Sequence, residues 1–256
     1  MKATLTVLGS GTSMGVPTIG CDCKVCRSSD PRDRRTRPSV LLEYAERIVL
    51  IDSTPDFREQ ALRENIRQLD AVLYTHAHAD HILGLDDLRP LTFHREDKLP
   101  IYADSDTAAI IERMFAYVFD PQSTYSTRPQ VRLHRLNGQL DLFGAIFKPL
   151  TVLHGDHPIT AYRFGTAAYV TDFSTIPDAA MQQLQGLDVL FLDALRRRPH
   201  PTHSSLEASL KIVEALKPDR AFFVHMSHEL GHEETNALLP SHIRLAHDGL
   251  KLEFEI

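Results

Sequence analysis

The run Tyr74-Thr75-His76-Ala77-His78-Ala79-Asp80-His81 packs three imidazoles and a carboxylate into positions 76–81, directly after the apolar stretch Ala71-Val72-Leu73. In an extended segment, side chains two apart point the same way, so His76 and His78 can grip one ion. Asp80 and His81 sit where the pattern turns helical and can face a second ion. Imidazole combined with carboxylate suits zinc, manganese or iron at sites that keep a coordination position open.

All three cysteines fall in one hexapeptide, Cys21-Asp22-Cys23-Lys24-Val25-Cys26. A disulfide framework needs an even number at wider spacing, so this odd cluster points to thiolate metal binding. Three thiolates leave a tetrahedral zinc one ligand short, and a remote histidine would complete a closed, structural site.

These residues need elements to position them. Short apolar runs read as strands at Leu5-Leu8, Val40-Tyr44, Ile48-Ile51, Ala71-Tyr74, Pro100-Tyr102, Val131-Leu136, Ile146-Val152, Thr160-Phe164, Ala167-Thr171, Val189-Leu192, Ala221-Val224 and Leu252-Phe254. Helical spacing is found at Phe57-Ile66, Asp106-Val118, Asp178-Leu184 and Ser204-Leu216, the last opening on the capping-box pattern Ser204-x-x-Glu207. The stretch Phe119-Pro129 reads as an irregular surface loop. Many short strands, first in meander order and then repeated, predict an α/β architecture of two packed sheets with helices outside. Asp52, His154, Asp172, Asp193 and His225 each follow an apolar run. Open α/β sheets place ligands at such strand ends. Beside the His76 cluster, these residues read as one rim of a metal site.

With 256 residues the chain can bury a large core, and residues 1–256 are expected to form a single domain with a small zinc-binding loop at 21–26. No run of ~18 apolar residues exists to span a membrane. The first residues alternate like a strand and lack a signal peptide's apolar core, which makes the cytoplasm the default location. A formal charge of −6 weighs against nucleic acid as the main partner. Oligomeric state is not readable from the chain, with a homodimer the assembly to test for. Of the 14 histidines, His94, His134, His242 and His247 fit no pattern, whereas His157 and His232 lie close to ligand candidates.

Taken together, the motif His76-x-His78-x-Asp80-His81 followed by His154, Asp172 and His225 resembles that of metallo-β-lactamase-superfamily hydrolases. The resemblance covers nearly the whole chain. It implies an αβ/βα sandwich of two mixed β-sheets and a binuclear centre of two divalent ions, Mn²⁺, Zn²⁺ or Fe²⁺. On the matched positions, His76, His78 and His154 hold the first ion, Asp80, His81 and His225 the second, and Asp172 bridges them. Such a pair can deprotonate a water near neutral pH and clamp the oxygens of the reacting group.

Gly9-Ser10-Gly11-Thr12-Ser13-Met14-Gly15-Val16-Pro17, leading into Cys21-x-Cys23-x-x-Cys26, is similar to the cyclic-phosphodiesterase family of the carbon–phosphorus lyase pathway. That resemblance implies a structural Zn²⁺ held by Cys21, Cys23, Cys26 and His228. It also implies an acid/base role for His203, in catalysis with Asp80, on a small cyclic phosphodiester. The Gly-rich segment lacks the Lys-Ser/Thr of a P-loop, and Pro17 and Gly20 interrupt where a helix should begin. His200 competes with His203 but lies between Pro199 and Pro201 and reads as a turn residue. Arg196-Arg197-Arg198 and the basic run Arg32–Arg37 could attract a phosphate. Asp86 or Asp87 is the expected partner of a ligand imidazole. Other functions compatible with the shared motif are an esterase, thioesterase or lactonase, a transfer-RNA 3′-end nuclease, and a non-catalytic zinc-stabilised binding protein.

Overall fold

A computed structural model describes residues 1–122 and 127–256. The first sheet takes β1 (Lys2–Gly9), β2 (Ser39–Tyr44), β3 (Arg47–Ile51), β4 (Ala71–Leu73), β5 (Leu99–Ala103) and β6 (Val131–Arg135). The second takes β7 (Leu140–Leu142), β8 (Ala145–His154), β9 (His157–Phe164), β10 (Ala167–Val170), β11 (Val189–Asp193), β12 (Arg220–Val224) and β13 (Ile243–Leu245). The last strand, β14 (Lys251–Glu255), returns to the first sheet and pairs antiparallel with β1. Each sheet has seven strands, ordered β14-β1-β2-β3-β4-β5-β6 and β13-β12-β11-β10-β9-β8-β7. Both are mixed: β3 to β6 and β10 to β13 run parallel, and antiparallel pairs complete the rest.

The central parallel strands β4, β10 and β11 carry unbroken apolar runs because both of their faces are covered. In β11, Val189 and Phe191 enter the core between the sheets, while Leu190 and Leu192 face the core on the sheet's outer side. In β4, Ala71 and Leu73 point inward and Val72 outward. One outer layer consists of α1 (Phe57–Arg63), α2 (Ala79–Ile82), α3 (Arg89–Thr92), α4 (Ser105–Met114) and α5 (Ala116–Phe119); the other of α6 (Asp178–Gln183), α7 (Leu206–Leu216) and α8 (His232–Asn236). The result is the αβ/βα sandwich expected from the motif. Among the described residues, no helix is long and apolar enough to cross a membrane.

Local departures from the sequence reading have physical causes. The single helix expected over Asp106–Val118 is broken at Phe115, whose φ of −109° and ψ of 37° separate α4 from α5. The cap of α7 is Ser205, which accepts from Ala208 N–H, and not Ser204. Ser204 is buried and accepts from the Ser209 hydroxyl at 2.7 Å instead. Strands β7 and β13 are too short for periodicity to reveal them. Within the expected loop Phe119–Pro129, residues 123–126 lie outside the described residues.

The inter-sheet core centres on aromatic residues. Phe164 packs on Phe147 and Phe254, with ring centroids 5.6 and 5.7 Å away, and is fully buried. Phe164→Ala should therefore lower stability by ~3–5 kcal/mol through lost transfer energy and a residual cavity. Urea unfolding with an unchanged slope checks this. A loss below ~1 kcal/mol would mean that the core collapses around the gap.

Candidate metal centre

Strands from both sheets deliver their C-terminal ends to one edge, and the metal-type side chains converge there. From the first sheet, β3 leads into Asp52 and β4 into Thr75 and His76, with His78, Asp80 and His81 on the turn into α2. From the second, β8 ends in His154 and β11 in Asp193, while β10 and β12 lead into Asp172 and His225. Asp52, Asp172 and His225 adopt positive φ values of 65°, 57° and 56°. L-residues enter this region rarely and at a cost of ~1–3 kcal/mol, and such strain collects at functional sites.

Two groups of ligand atoms result, each within 4.8 Å of one another: His76, His78 and His154, and Asp80, His81, Asp172 and His225. In the second group His225 Nε2 lies 3.0 Å from Asp172 Oδ1 and 3.6 Å from Asp80 Oδ2. His81 Nε2 lies 3.3 Å from a carboxylate oxygen of each aspartate. The groups adjoin, with the His76 and His81 rings 4.1 Å apart. The far side of most rings is secured. His81 Nδ1 donates to Asp52 Oδ2 at 2.7 Å, and His154 Nδ1 donates to the Thr202 carbonyl at 2.7 Å. Thr75 donates its N–H and hydroxyl to the Asp52 carboxylate, both at 2.8 Å, and its hydroxyl oxygen lies 3.0 Å from His76 Nδ1. Fixing Nδ1 in this way leaves Nε2 as the free lone pair. The Nε2 atoms of His76, His81 and His225 are buried without a hydrogen-bond partner among the described residues. Buried orphan atoms of this kind are costly, and a divalent cation satisfies them. The residues therefore fit a metal pair.

The electrostatics point the same way. Burial pushes His76, His78 and His154 down and keeps them neutral, the form that binds metal. Burial works against charge on Asp80 and Asp172 too, yet His81 and His225 hold both well below the usual carboxylate range. Burial would likewise lower His81 and His225, but the carboxylates prevail and raise both, His225 to about 10. Cations compensate such a cluster as protons do.

The three cysteines meet a histidine from the other end of the chain. Sγ atoms of Cys21, Cys23 and Cys26 lie 3.1, 3.4 and 3.4 Å from His228 Nδ1. A tetrahedral zinc with ordinary bond lengths would set that separation at ~3.6 Å. The Cys26 N–H, donated to Cys23 Sγ, holds the Cys23 thiol down at about 6, whereas burial pushes Cys26 up to about 11. Arg35, with no exposed side-chain surface, ties the two halves together. It pairs with Asp33 at 3.2 Å and donates to the carbonyls of Ser227 and Leu230 at 3.1 and 2.5 Å. Its backbone pairs with Val16 in the loop leading to the cysteines.

His203 stands at the edge of the cluster. Its ring stacks on His225 at 4.8 Å and 12°, and its Nδ1 donates to Asp193 Oδ2 at 2.9 Å. Burial, reinforced by His225, pushes His203 down to about 4. Asp193, fully buried, is pushed up by that burial. His200 is more than a turn residue: its ring lies 5.1 Å from His203, and its Nδ1 accepts from Thr202 N–H and lies 3.2 Å from the Thr202 hydroxyl. Asp52, Asp193 and Thr202 are the supports that pattern alone left without roles, although the first two were visible as polar strand ends.

Several expectations need correction. Asp86 bonds Arg89 and Tyr117, and it is Asp52 that orients a ligand imidazole. The arginine runs are engaged elsewhere: Arg32 with Asp30 and Glu233, Arg37 with Asp56, Arg198 with Glu229, and Arg196 with backbone carbonyls. Carboxylates thus compensate Arg32, Arg37 and Arg198, while Arg197 reaches the Thr235 hydroxyl.

The family model described as the beta-lactamase superfamily domain matches residues 47–226. A solved structure described as a new diphosphatase from the PhnP family is 60% identical and superposes with a TM-score of 0.94, covering 99% of this chain and 98% of that one. The octanoyltransferase of Porphyromonas gingivalis (strain ATCC BAA-308 / W83) is 40% identical over 250 residues, which are 96% of this chain and 50% of that protein. The chain thus spans about half of that relative's length. Zn²⁺-bound PqqB from Methylobacterium extorquens shares the fold, with a TM-score of 0.79 at 20% identity over 97% of this chain and 99% of that one.

His225→Ala should deplete the binuclear site of metal and leave cysteine-bound zinc in place, while His228→Ala should do the reverse and lower the melting temperature. Metal analysis by mass spectrometry checks both, and equal loss of all ions in each variant would refute the division. Asp52→Asn should retain the fold and weaken metal binding by ~10–100-fold, the usual worth of a carboxylate behind a ligand imidazole. Titration against a chelating dye measures this.

Proposed function

The chain belongs to the beta-lactamase superfamily as a metal-dependent hydrolase of the metallo-β-lactamase fold, close to the PhnP family, and from this premise we propose that it cleaves a small cyclic phosphodiester. In this reading His76, His78 and His154 hold one divalent ion, Asp80, His81 and His225 the second, and Asp172 lies between them; Cys21, Cys23, Cys26 and His228 hold a structural zinc. The ion pair supplies Lewis acidity and a water of lowered pKa.

The observation that carries the reading is the His203–Asp193 pair stacked against His225. Asp193 accepts the Nδ1 hydrogen bond and so leaves Nε2 for the substrate. An alkoxide departing from phosphorus is a strong base and needs a proton as the bond breaks. A thiolate leaves without one, so a built acid beside the cluster favours oxygen leaving groups over thioesters. Burial keeps His203 neutral in the free protein at neutral pH. The negative charge of an arriving phosphoryl group favours its imidazolium, so the acid is armed as substrate binds.

A second reading has a specific basis. The 60%-identical structure is named a diphosphatase, and a diphosphate also offers a tetrahedral phosphorus bonded to a bridging oxygen that can leave. Its leaving group is a phosphate, which depends less on protonation. The acyl transfer named for the Porphyromonas gingivalis protein belongs to a chain of which this one matches half.

His203→Ala should keep its full metal content and lose ~10²–10⁴-fold in rate on a cyclic or alkyl phosphodiester. On bis(p-nitrophenyl) phosphate, whose leaving group needs no proton, the loss should be much smaller. Equal losses on both substrates with metal retained would assign His203 to substrate positioning. A wild-type preference for diphosphates over diesters would favour the second reading.

A further inference from the structure

Away from the metal centre, a cavity of about 420 Å³ opens where residues 246–250 cross from edge strand β13 to edge strand β14. Its apolar wall includes Phe222 and Leu250, both of which also pack against the inter-sheet core. The parallel register of β12 and β13 sets Arg244 beside Phe222.

The polar lining has unspent donors. Asn236 gives its side-chain oxygen to Leu245 N–H at 2.8 Å, which leaves its amide hydrogens free. Arg244 donates through Nη1 to the carbonyls of Pro240 and Ile243, and among the described residues no carboxylate pairs with it. His232 is only 4% exposed, and its Nδ1 has no partner among the described residues. Its ring meets His247 edge-on at 5.6 Å. Glu233 is the one carboxylate among the described lining residues, and Arg32 already occupies it at 2.9 Å. Arg32 is spent on Asp30 and Glu233, so the positive potential inside comes from Arg244, which has only carbonyl partners.

We propose that this cavity is a second binding site, for a small organic anion with a phosphoryl or phosphonyl head and an apolar body. Arg244 and Asn236 take the head, beside His232 and His247, and Phe222 and Leu250 take the body. Several free donors around a positive potential suit a tetrahedral dianion better than a carboxylate. An apolar wall with a few convergent polar groups is the usual make-up of a small-molecule pocket of this size. The site shares no residue with either metal cluster, so it stands whether or not the catalytic reading does.

The test uses zinc-loaded full-length protein with nitrogen-15-labelled histidine rings, titrated with phenylphosphonate, inorganic phosphate and benzoate. Phenylphosphonate should shift the His232 and His247 resonances saturably, with a dissociation constant of ~1 mM or below. Inorganic phosphate should bind this site ~10-fold more weakly for want of the apolar body, and benzoate should also be weaker. Arg244→Met should abolish the shifts, and Arg244→Lys should restore part of the affinity. The proposal fails if these two resonances stay still while only His203 moves, since binding is then confined to the metal centre. It also fails if Arg244→Met, folded by its melting temperature, binds as wild type does, or if benzoate binds as tightly as phenylphosphonate.

Discussion

Four buried or nearly buried carboxylates and a crowd of imidazoles share one rim of this fold, and that concentration of charge governs the rest of the structure. Asp52, Asp172 and Asp193 have 0–1% of their surface exposed, and Asp80 has 8%. Isolated charges buried to this degree would cost several kcal/mol each. The protein meets part of the cost with carboxylate–imidazole pairs and with hydroxyl and amide donors such as Thr75. What remains is a set of Nε2 atoms without a hydrogen-bond partner among the described residues. A pair of cations completes the balance, so ion binding and the integrity of the rim are one problem.

The two metal-type clusters are mechanically joined. His225 and His228 lie three residues apart, and the segment between them is held from several sides. Met226 exchanges backbone hydrogen bonds with Ser10 and Thr12, and Arg35 grips the carbonyls of Ser227 and Leu230. This explains the Gly-rich segment without any nucleotide. It runs alongside the end of β12, and a Cβ at Gly11 would come within 2.8 Å of the Arg35 carbonyl oxygen. Asp248 fastens the same segment from below by accepting from Ser10 and Thr36. The cysteine loop therefore acts as a buttress for the strand end that carries His225.

The catalytic edge divides its labour by environment. Burial pushes the imidazoles of His76, His78 and His154 down, whereas neighbouring aspartates pull His81 and His225 up against the same burial, favouring positive charge at that end of the rim. His203 sits at the edge of the rim, tethered to Asp193 on its far side. The backbone of Thr202 serves two neighbours at once, with its carbonyl on His154 and its N–H on His200. The Pro199–His203 turn is thus locked to the rim, although its sequence gives no hint of that.

What the chain alone determined is what depends on local order. Strand ends, the spacing of His76, His78, Asp80 and His81, and the cysteine hexapeptide are written in consecutive residues, because side-chain direction follows from strand and helix periodicity. Most strands were legible for the same reason, and so was the two-sheet architecture; β7 and β13, three residues each, were not. Only the tertiary structure decided which remote groups meet. It brought Asp52 behind His81 across 29 residues, Asp193 behind His203, and the thiolates to His228 across about two hundred. It also buried Arg35 between Asp33 and the carbonyls of Ser227 and Leu230, a fate no charge pattern reveals. Periodicity tells which face a residue occupies, but its partner depends on where two sheets and their loops come to lie against each other.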